Sequence, residues 1–164
     1  MKKSYFLAYS GIFLAIILYS SCITVVFRER DTAPRKISPL HEAVRDRNLK
    51  QVMKLVHDGF SVNIRDSQGN TPLHYCAMNG DKRIAQYLLD NRAAVNARNN
   101  QGDTALHIAI RNRNDGVVAV LMNFHADLSI RNNKGQSVRD AARQYGYHKL
   151  LGKEGEKAGN YVEY

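Results

Sequence analysis

Three histidines, His41, His74 and His107, stand 33 residues apart and are the side chains of this 164-residue chain best suited to chemistry. Histidine is a common metal ligand and a common general base. The regular spacing argues against both uses. Equivalent side chains in stacked helices lie about 8–10 Å apart, whereas each ligand of one zinc ion sits about 2.0–2.1 Å from the metal. Cys76 offers a nucleophile two residues after His74, but residues two apart on a helix point to different faces. A nucleophile with no base in reach is not activated, and Cys76 reads instead as a small buried hydrophobe. No Cys pair has metal-ligand spacing, and Gly69, Gly102 and Gly135 stand alone instead of forming a phosphate loop. The expectation is a chain with no catalytic residue, no metal and no cofactor, and hence not an enzyme.

The elements that position these histidines repeat with them. Ser38-Pro39-Leu40-His41 returns as Thr71-Pro72-Leu73-His74, as Thr104-Ala105-Leu106-His107, and in altered form as Ser137-Val138-Arg139-Asp140. A fixed period of this size marks a stack of similar units, each too small to bury a core alone. In each unit Ser or Thr suits a helix N-cap, and Pro suits the first helical position. Offsets of two, five and six residues from the cap then share one face. They are Leu73, Cys76 and Ala77, then Leu106, Ala109 and Ile110. A second helix carries Val52, Leu55 and Val56 in the first unit, Ile84, Leu88 and Leu89 in the next, and Val117, Leu121 and Met122 in the third. Extended pairs follow (Val62-Asn63, Val95-Asn96, Leu128-Ser129), and Gly69, Gly102 and Gly135 mark tight turns toward the next cap. Gly59 ends a second helix where a left-handed residue is expected. Arg92 and His125 stand at the same place later, at a cost of about 1 kcal/mol each.

The period and the Thr-Pro-Leu-His wording resemble the ankyrin repeat. The resemblance implies an all-α repeat solenoid of helix–turn–helix units with β-hairpin fingers. It implies three full repeats (38–70, 71–103, 104–136) and a partial C-terminal cap (137–151). The last copy is worn, with Arg139 for leucine and Asp140 for histidine, as the polar outer face of a terminal repeat requires. The resemblance also implies that His41, His74 and His107 hydrogen-bond within and between turns. A protein partner would bind the concave face, lined by the fingers and by offsets four, seven and eight of each first helix. Those offsets read Glu42, Arg45, Asp46; Tyr75, Met78, Asn79; Ile108, Arg111, Asn112; and Ala141, Gln144, Tyr145. Interfaces favour aromatic and arginine anchors inside a polar rim, so Tyr75, Met78, Ile108 and Arg111 are the expected exposed contact cluster. On the fingers, Arg65, Arg98 and Arg131 form a second ladder of period 33. It is either a solvated row or a positive rail that steers an acidic protein.

The ends of the chain differ from its middle. From Tyr5 to Phe27 there is no charged side chain. At about 1.5 Å per residue, a helix of that length spans a hydrocarbon core of about 30 Å. Residues 1–27 are therefore expected to be either an uncleaved membrane anchor or a cleaved signal peptide. Leu18-Tyr19-Ser20-Ser21-Cys22 resembles a bacterial lipoprotein processing site, with Cys22 as the lipid attachment residue. Tyr19 stands where that pattern has leucine, and the apolar sequence continues past Cys22. Residues 28–37 read as a linker and 152–164 as a disordered tail. The short basic start favours repeats on the periplasmic or extracytoplasmic side of a membrane, while the count of flanking positive charges favours the cytosol. Beyond Phe27 there are 22 basic and 15 acidic residues, a net +7. No nucleic-acid motif accompanies that excess, and two cysteines make no disulfide framework. The functional expectation is a monomeric, non-catalytic scaffold tethered at a membrane that binds a protein partner. The alternatives are an inhibitor, immunity or protective factor of an envelope enzyme, or an exported effector.

Overall fold

A computed structural model of the chain describes residues 37–148 in full and, for the backbone alone, residues 6–9, 12–19 and 22–25. The chain divides into two units, Met1–Arg35 and Lys36–Tyr164. In the first, β1 (Phe6–Tyr9), β2 (Ile12–Tyr19) and β3 (Cys22–Val25) form an antiparallel meander. Phe6 lies opposite Ala15, Ile16 opposite Val25, and Tyr19 opposite Cys22. This corrects the expectation of one long helix over the apolar run. The run is rich in β-branched and aromatic residues, and Ser10-Gly11 and Ser20-Ser21 supply two-residue breaks of hairpin length. No helix among the described residues is long and apolar enough to cross a membrane. The lipid-attachment candidate Cys22 opens β3, and its side chain lies outside the described residues. So do the expected linker over 28–36, the end of the cap over 149–151 and the tail over 152–164.

The second unit holds seven helices among the described residues: α1 (Pro39–Arg45), α2 (Leu49–His57), α3 (Pro72–Asn79), α4 (Lys82–Asp90), α5 (Ala105–Arg111), α6 (Asp115–Asn123) and α7 (Val138–Tyr145). Each helix of the odd series starts where its cap dictates. Ser38, Thr71, Thr104 and Ser137 hold extended backbone at the N-cap, and Pro39 and Pro72 occupy the first turn. Each first helix is followed by a left-handed residue. Gly80 and Gly146 serve at φ +77° and +85°, but Arg47 and Arg113 hold the same place at +55° and +57°. After the second helices, Gly59 (+92°) is matched by Arg92 (+66°) and His125 (+56°). The strain expected at Arg92 and His125 is present, and Arg47 and Arg113 add two further sites of it.

The odd helices pack side by side in one layer (α1, α3, α5, α7), and α2, α4 and α6 form a second layer against them. Leu73, Cys76, Ala77, Leu106, Ala109 and Ile110 are each at most 1% exposed. Val52, Ile84, Leu88, Val117 and Leu121 meet them from the second layer, while Val56 is only partly covered. Burying one such large side chain is worth about 1.5–3 kcal/mol. No single pair of short helices could accumulate enough of them, so the core is continuous through the stack.

Candidate functional site

Histidine sets the spacing between repeats. The His74 ring accepts at Nδ1 from the backbone N–H of Thr71 (3.1 Å) and lies 2.8 Å from the Thr71 hydroxyl. Its Nε2 lies 3.1 Å from the carbonyl of Asp103, 29 residues on. A backbone N–H can only donate and a carbonyl can only accept, so the ring is the neutral Nε2–H tautomer. His107 repeats the arrangement with Thr104 and the carbonyl of Gln136, and His41 with Ser38 and the carbonyl of Asn70. Burial lowers the pKa of all three below the ordinary histidine value. Both nitrogens of each ring are thus engaged in holding a cap and the next finger. Asp140 takes over the local half of this role in the last copy. Its carboxylate accepts from the Ser137 N–H (3.0 Å) and hydroxyl (2.6 Å).

The fingers are joined tip to tip. Hairpin bonds from Asp66 to Asn70, Asn99 to Asp103 and Asn132 to Gln136 close each one. The N–H of Asn100 donates to the Gln68 carbonyl and that of Asn133 to the Gln101 carbonyl, each at 3.0 Å. A ladder of side chains runs beneath. Asn99 Nδ2 donates to Asn70 Oδ1 (2.9 Å), and Asn132 Nδ2 donates to Asp103 Oδ1 (2.8 Å). The arginine of each finger reaches across it. Arg65 donates to the carbonyls of Gly69 and Arg98, Arg98 to the Gly102 carbonyl and Asn133 Oδ1, and Arg131 to the Gly135 carbonyl and Asp140. These guanidiniums are exposed, yet the finger holds their orientation.

The first helices meet the fingers through two expected contact residues. Tyr75 Oη donates to Asp66 Oδ2 at 2.9 Å, and its ring lies 5.1 Å from that of His41, tilted by 58°. Burial and this carboxylate push the Tyr75 hydroxyl up to about 12. Burial alone would raise Asp66, but the Asn70 N–H, the Tyr75 hydroxyl, the Asn70 side chain and the Gln68 N–H together hold its carboxyl below the ordinary range. Arg111 Nη1 pairs with Asp103 Oδ2 at 3.0 Å. Met78 stays 39% exposed.

Ile108 departs from expectation. It is 2% exposed and belongs to the core. The expected exposed cluster of Tyr, Met and Ile is therefore corrected: Tyr75 is half-buried, Ile108 is inaccessible and Met78 alone is exposed. The same offset is covered or partly covered on every first helix (Glu42, Tyr75, Ile108, Ala141), so the buried arc of these helices, packed side by side, is wider than the stripe read from spacing. Ala141 is buried for the related reason that α7 lies flat on α5.

Several side chains build this surface by capping a neighbouring repeat, a role that spacing did not assign to them. Asn79 Nδ2 donates to the carbonyls of Val44 and Arg45, and Arg47 donates back to the Asn79 carbonyl. Asn114 does the same service for the carbonyls of Ala77 and Met78. Such carbonyls at a helix C-terminus have no partner within the helix. The recurrence of Asp66, Asn99 and Asn132 at the period of the histidines was the available signal.

Cys76 is fully buried and its thiol is pushed up by burial, the opposite of an activated nucleophile. Among the described residues no group of His, Cys, Asp and Glu is placed to hold a metal ion.

A family model described as ankyrin repeats in three copies matches residues 28–149. No curated protein matches the chain. The histidine-linked caps, the paired helices and the bonded fingers are what that match requires, and the chain belongs to the ankyrin repeat family.

Proposed function

We propose that the repeats form a non-catalytic scaffold that binds a protein partner across the finger tips and the facing side of α1, α3 and α5, and that the apolar N-terminal run holds it at a membrane. Ankyrin repeats are protein-interaction modules. The observation that carries the reading to this surface is the state of its side chains. Arg111 and Tyr75 are each tied to a finger aspartate, and Met78, three residues after Tyr75 on α3, stands exposed. A preorganised surface loses little side-chain freedom on binding. Ile108 leaves the contact set, and Tyr75, Met78, Arg111 and the finger arginines Arg65, Arg98 and Arg131 remain.

Membrane attachment rests on the uncharged run Tyr5–Phe27 behind Met1-Lys2-Lys3, and the short basic start before that run, as in an exported protein, puts the repeats on the extracytoplasmic side. Cross-linking in intact membranes, followed by mass spectrometry, tests both parts. The expected result is one protein recovered at high yield, lost with Met78→Ala, together with an N-terminal peptide that shows whether Cys22 is the mature start. Recovery of the same partner with Met78→Ala and Arg111→Ala combined would sink the assignment of this face. Release of the full chain by high-salt washing would sink the attachment.

A further inference from the structure

The arginines of the finger row are positioned beyond what the fold needs. Each guanidinium carries five N–H donors. Arg65 and Arg98 each spend two on the fingers, which fixes the plane and leaves three. No carboxylate of the described residues pairs with either. The aspartates at the base of the fingers are turned away: Asp66 accepts from Tyr75 and Asn70, and Asp103 from Arg111 and Asn132. Among the described residues Arg131 alone has an acid near it, Asp140 at 3.5 Å, and both side chains remain well exposed. Arg65 and Arg98 therefore present oriented positive charge with no carboxylate partner among the described residues, and Arg131 continues the row at the same interval.

That interval selects a ligand. Neighbouring repeats stand about 8–10 Å apart. A polyproline II segment rises about 3.1 Å per residue with three residues per turn, so every third side chain returns to the same face after about 9 Å. A β-strand turns alternate residues to opposite faces and would present every third one to the wrong side. Single-stranded nucleic acid suits the row less well. Base stacking of a single strand needs aromatic platforms. The one aromatic of the facing helices within the middle repeats, Tyr75, is half-buried and tied to Asp66.

We propose that the finger row binds an acidic polyproline II segment of the protein partner, with carboxylates at three successive third positions set against Arg65, Arg98 and Arg131. This rests on the scaffold reading above and names the kind of segment that scaffold takes. Paired in this way, each guanidinium uses its free edge for a charge-assisted bond, and the ligand arrives with little entropy left to lose.

The test uses the full-length chain and two fluorescent peptides of identical composition, one repeating Glu-Pro-Ser and one with its glutamates in a single block. Anisotropy titration is expected to show the periodic peptide binding about tenfold more tightly, with the preference weakening as salt rises. Arg98→Gln is expected to remove about tenfold of that affinity. Where Arg98→Gln lowers the melting midpoint, Arg65→Gln, beside an independently bonded finger, gives the same reading. Equal affinity for the two peptides overturns the proposal, as does displacement of the periodic peptide by oligothymidylate at equal charge. If neither peptide binds while cross-linking still recovers a Met78-dependent partner, the proposal fails and the scaffold reading stands. If the partner is lost from cross-linking as well, both fail.

Discussion

Asp103, the last residue of the second repeat, joins Arg111 and Asn132 of the third, with Oδ2 at 3.0 Å from the guanidinium and Oδ1 at 2.8 Å from the amide. The carboxylate side chain is 4% exposed. It thus links the contact face to the ladder beneath the fingers. Its removal would leave a buried amide donor and a half-exposed guanidinium without partners. Asp103→Ala is expected to cost about 2–3 kcal/mol, read as a lowered urea midpoint. Arg111→Ala should cost less, because its guanidinium end is 42% exposed. Equal losses would mean that the ladder carries no weight.

The histidines set a pH dependence with a definite sign. Burial holds His41, His74 and His107 below the ordinary value of 6.5. As pH falls past 6.5, the unfolded chain takes up protons that the folded rings refuse. Stability is therefore greatest above that value and declines as pH falls from it toward the folded values, by at most about 1.4 kcal/mol per histidine for each pH unit. Urea midpoints at about pH 7.5 and about pH 5.5 check this. Asp66 remains ionised throughout, since its carboxyl is held below the ordinary range. His74→Gln should flatten the slope; an unchanged slope would place the titration elsewhere.

Two turn glycines of like conformation should respond differently to substitution. Gly102 (φ +77°) and Gly135 (φ +76°) share a left-handed backbone. A Cβ on Gly102 would meet the Asn133 backbone N at 2.7 Å, whereas one on Gly135 would meet nothing within 4 Å. Gly135→Ala is expected to cost about 1–2 kcal/mol from conformation alone. Gly102→Ala should cost about 1–3 kcal/mol more, because the next finger must move. Thermal unfolding of the pair checks the order.

Arg92 is exposed and left-handed at φ +66°, in the place that Gly59 fills in the first repeat. Arg92→Gly relieves the strain, offset in part by the freedom glycine has when unfolded. The expected gain is about 0.5–1 kcal/mol in chemical denaturation, and His125→Gly should give a similar one. A loss of stability in either would show that the side chain holds contacts worth more than the strain.

Met78 tests the surface independently of charge. Its side chain is exposed, while its carbonyl is clasped by Asn114 and, at 3.5 Å, by Asn112. Met78→Ala should leave stability within about 0.5 kcal/mol and still weaken partner capture about tenfold or more. Comparing cross-link yield with melting midpoint separates the two effects.

The period of 33 carried nearly all of the fold. Leu73, Cys76 and Ala77 fell on the buried face because local spacing alone assigns residues to one side of a helix. The caps, the left-handed strain at Arg92 and the structural role of His74 were equally legible, since each depends on chemistry within a few residues or on one repeat unit copied along the chain. The extended backbone of residues 6–9, 12–19 and 22–25 was not. A run of apolar β-branched and aromatic residues satisfies helix and strand patterns alike, and β1–β3 follow the breaks at Ser10-Gly11 and Ser20-Ser21.

The sequence by itself determined the repeat, its registers and the candidates for contact. Only the tertiary structure decided which candidates reach solvent. Ile108 and Met78 both sit on first helices at positions that spacing turns outward, yet one is sealed and the other is open. The reason is that burial belongs to neighbours: packing between successive first helices covers or partly covers the fourth offset from each cap (Glu42, Tyr75, Ile108, Ala141) and leaves the seventh (Arg45, Met78, Arg111, Gln144) exposed, which the sequence of one helix cannot show. Likewise the sequence displayed Arg65 and Arg98 as a ladder of charges. That their guanidiniums are held in place by carbonyls and left without carboxylates required the fingers to be folded, since it depends on groups brought together from separate repeats.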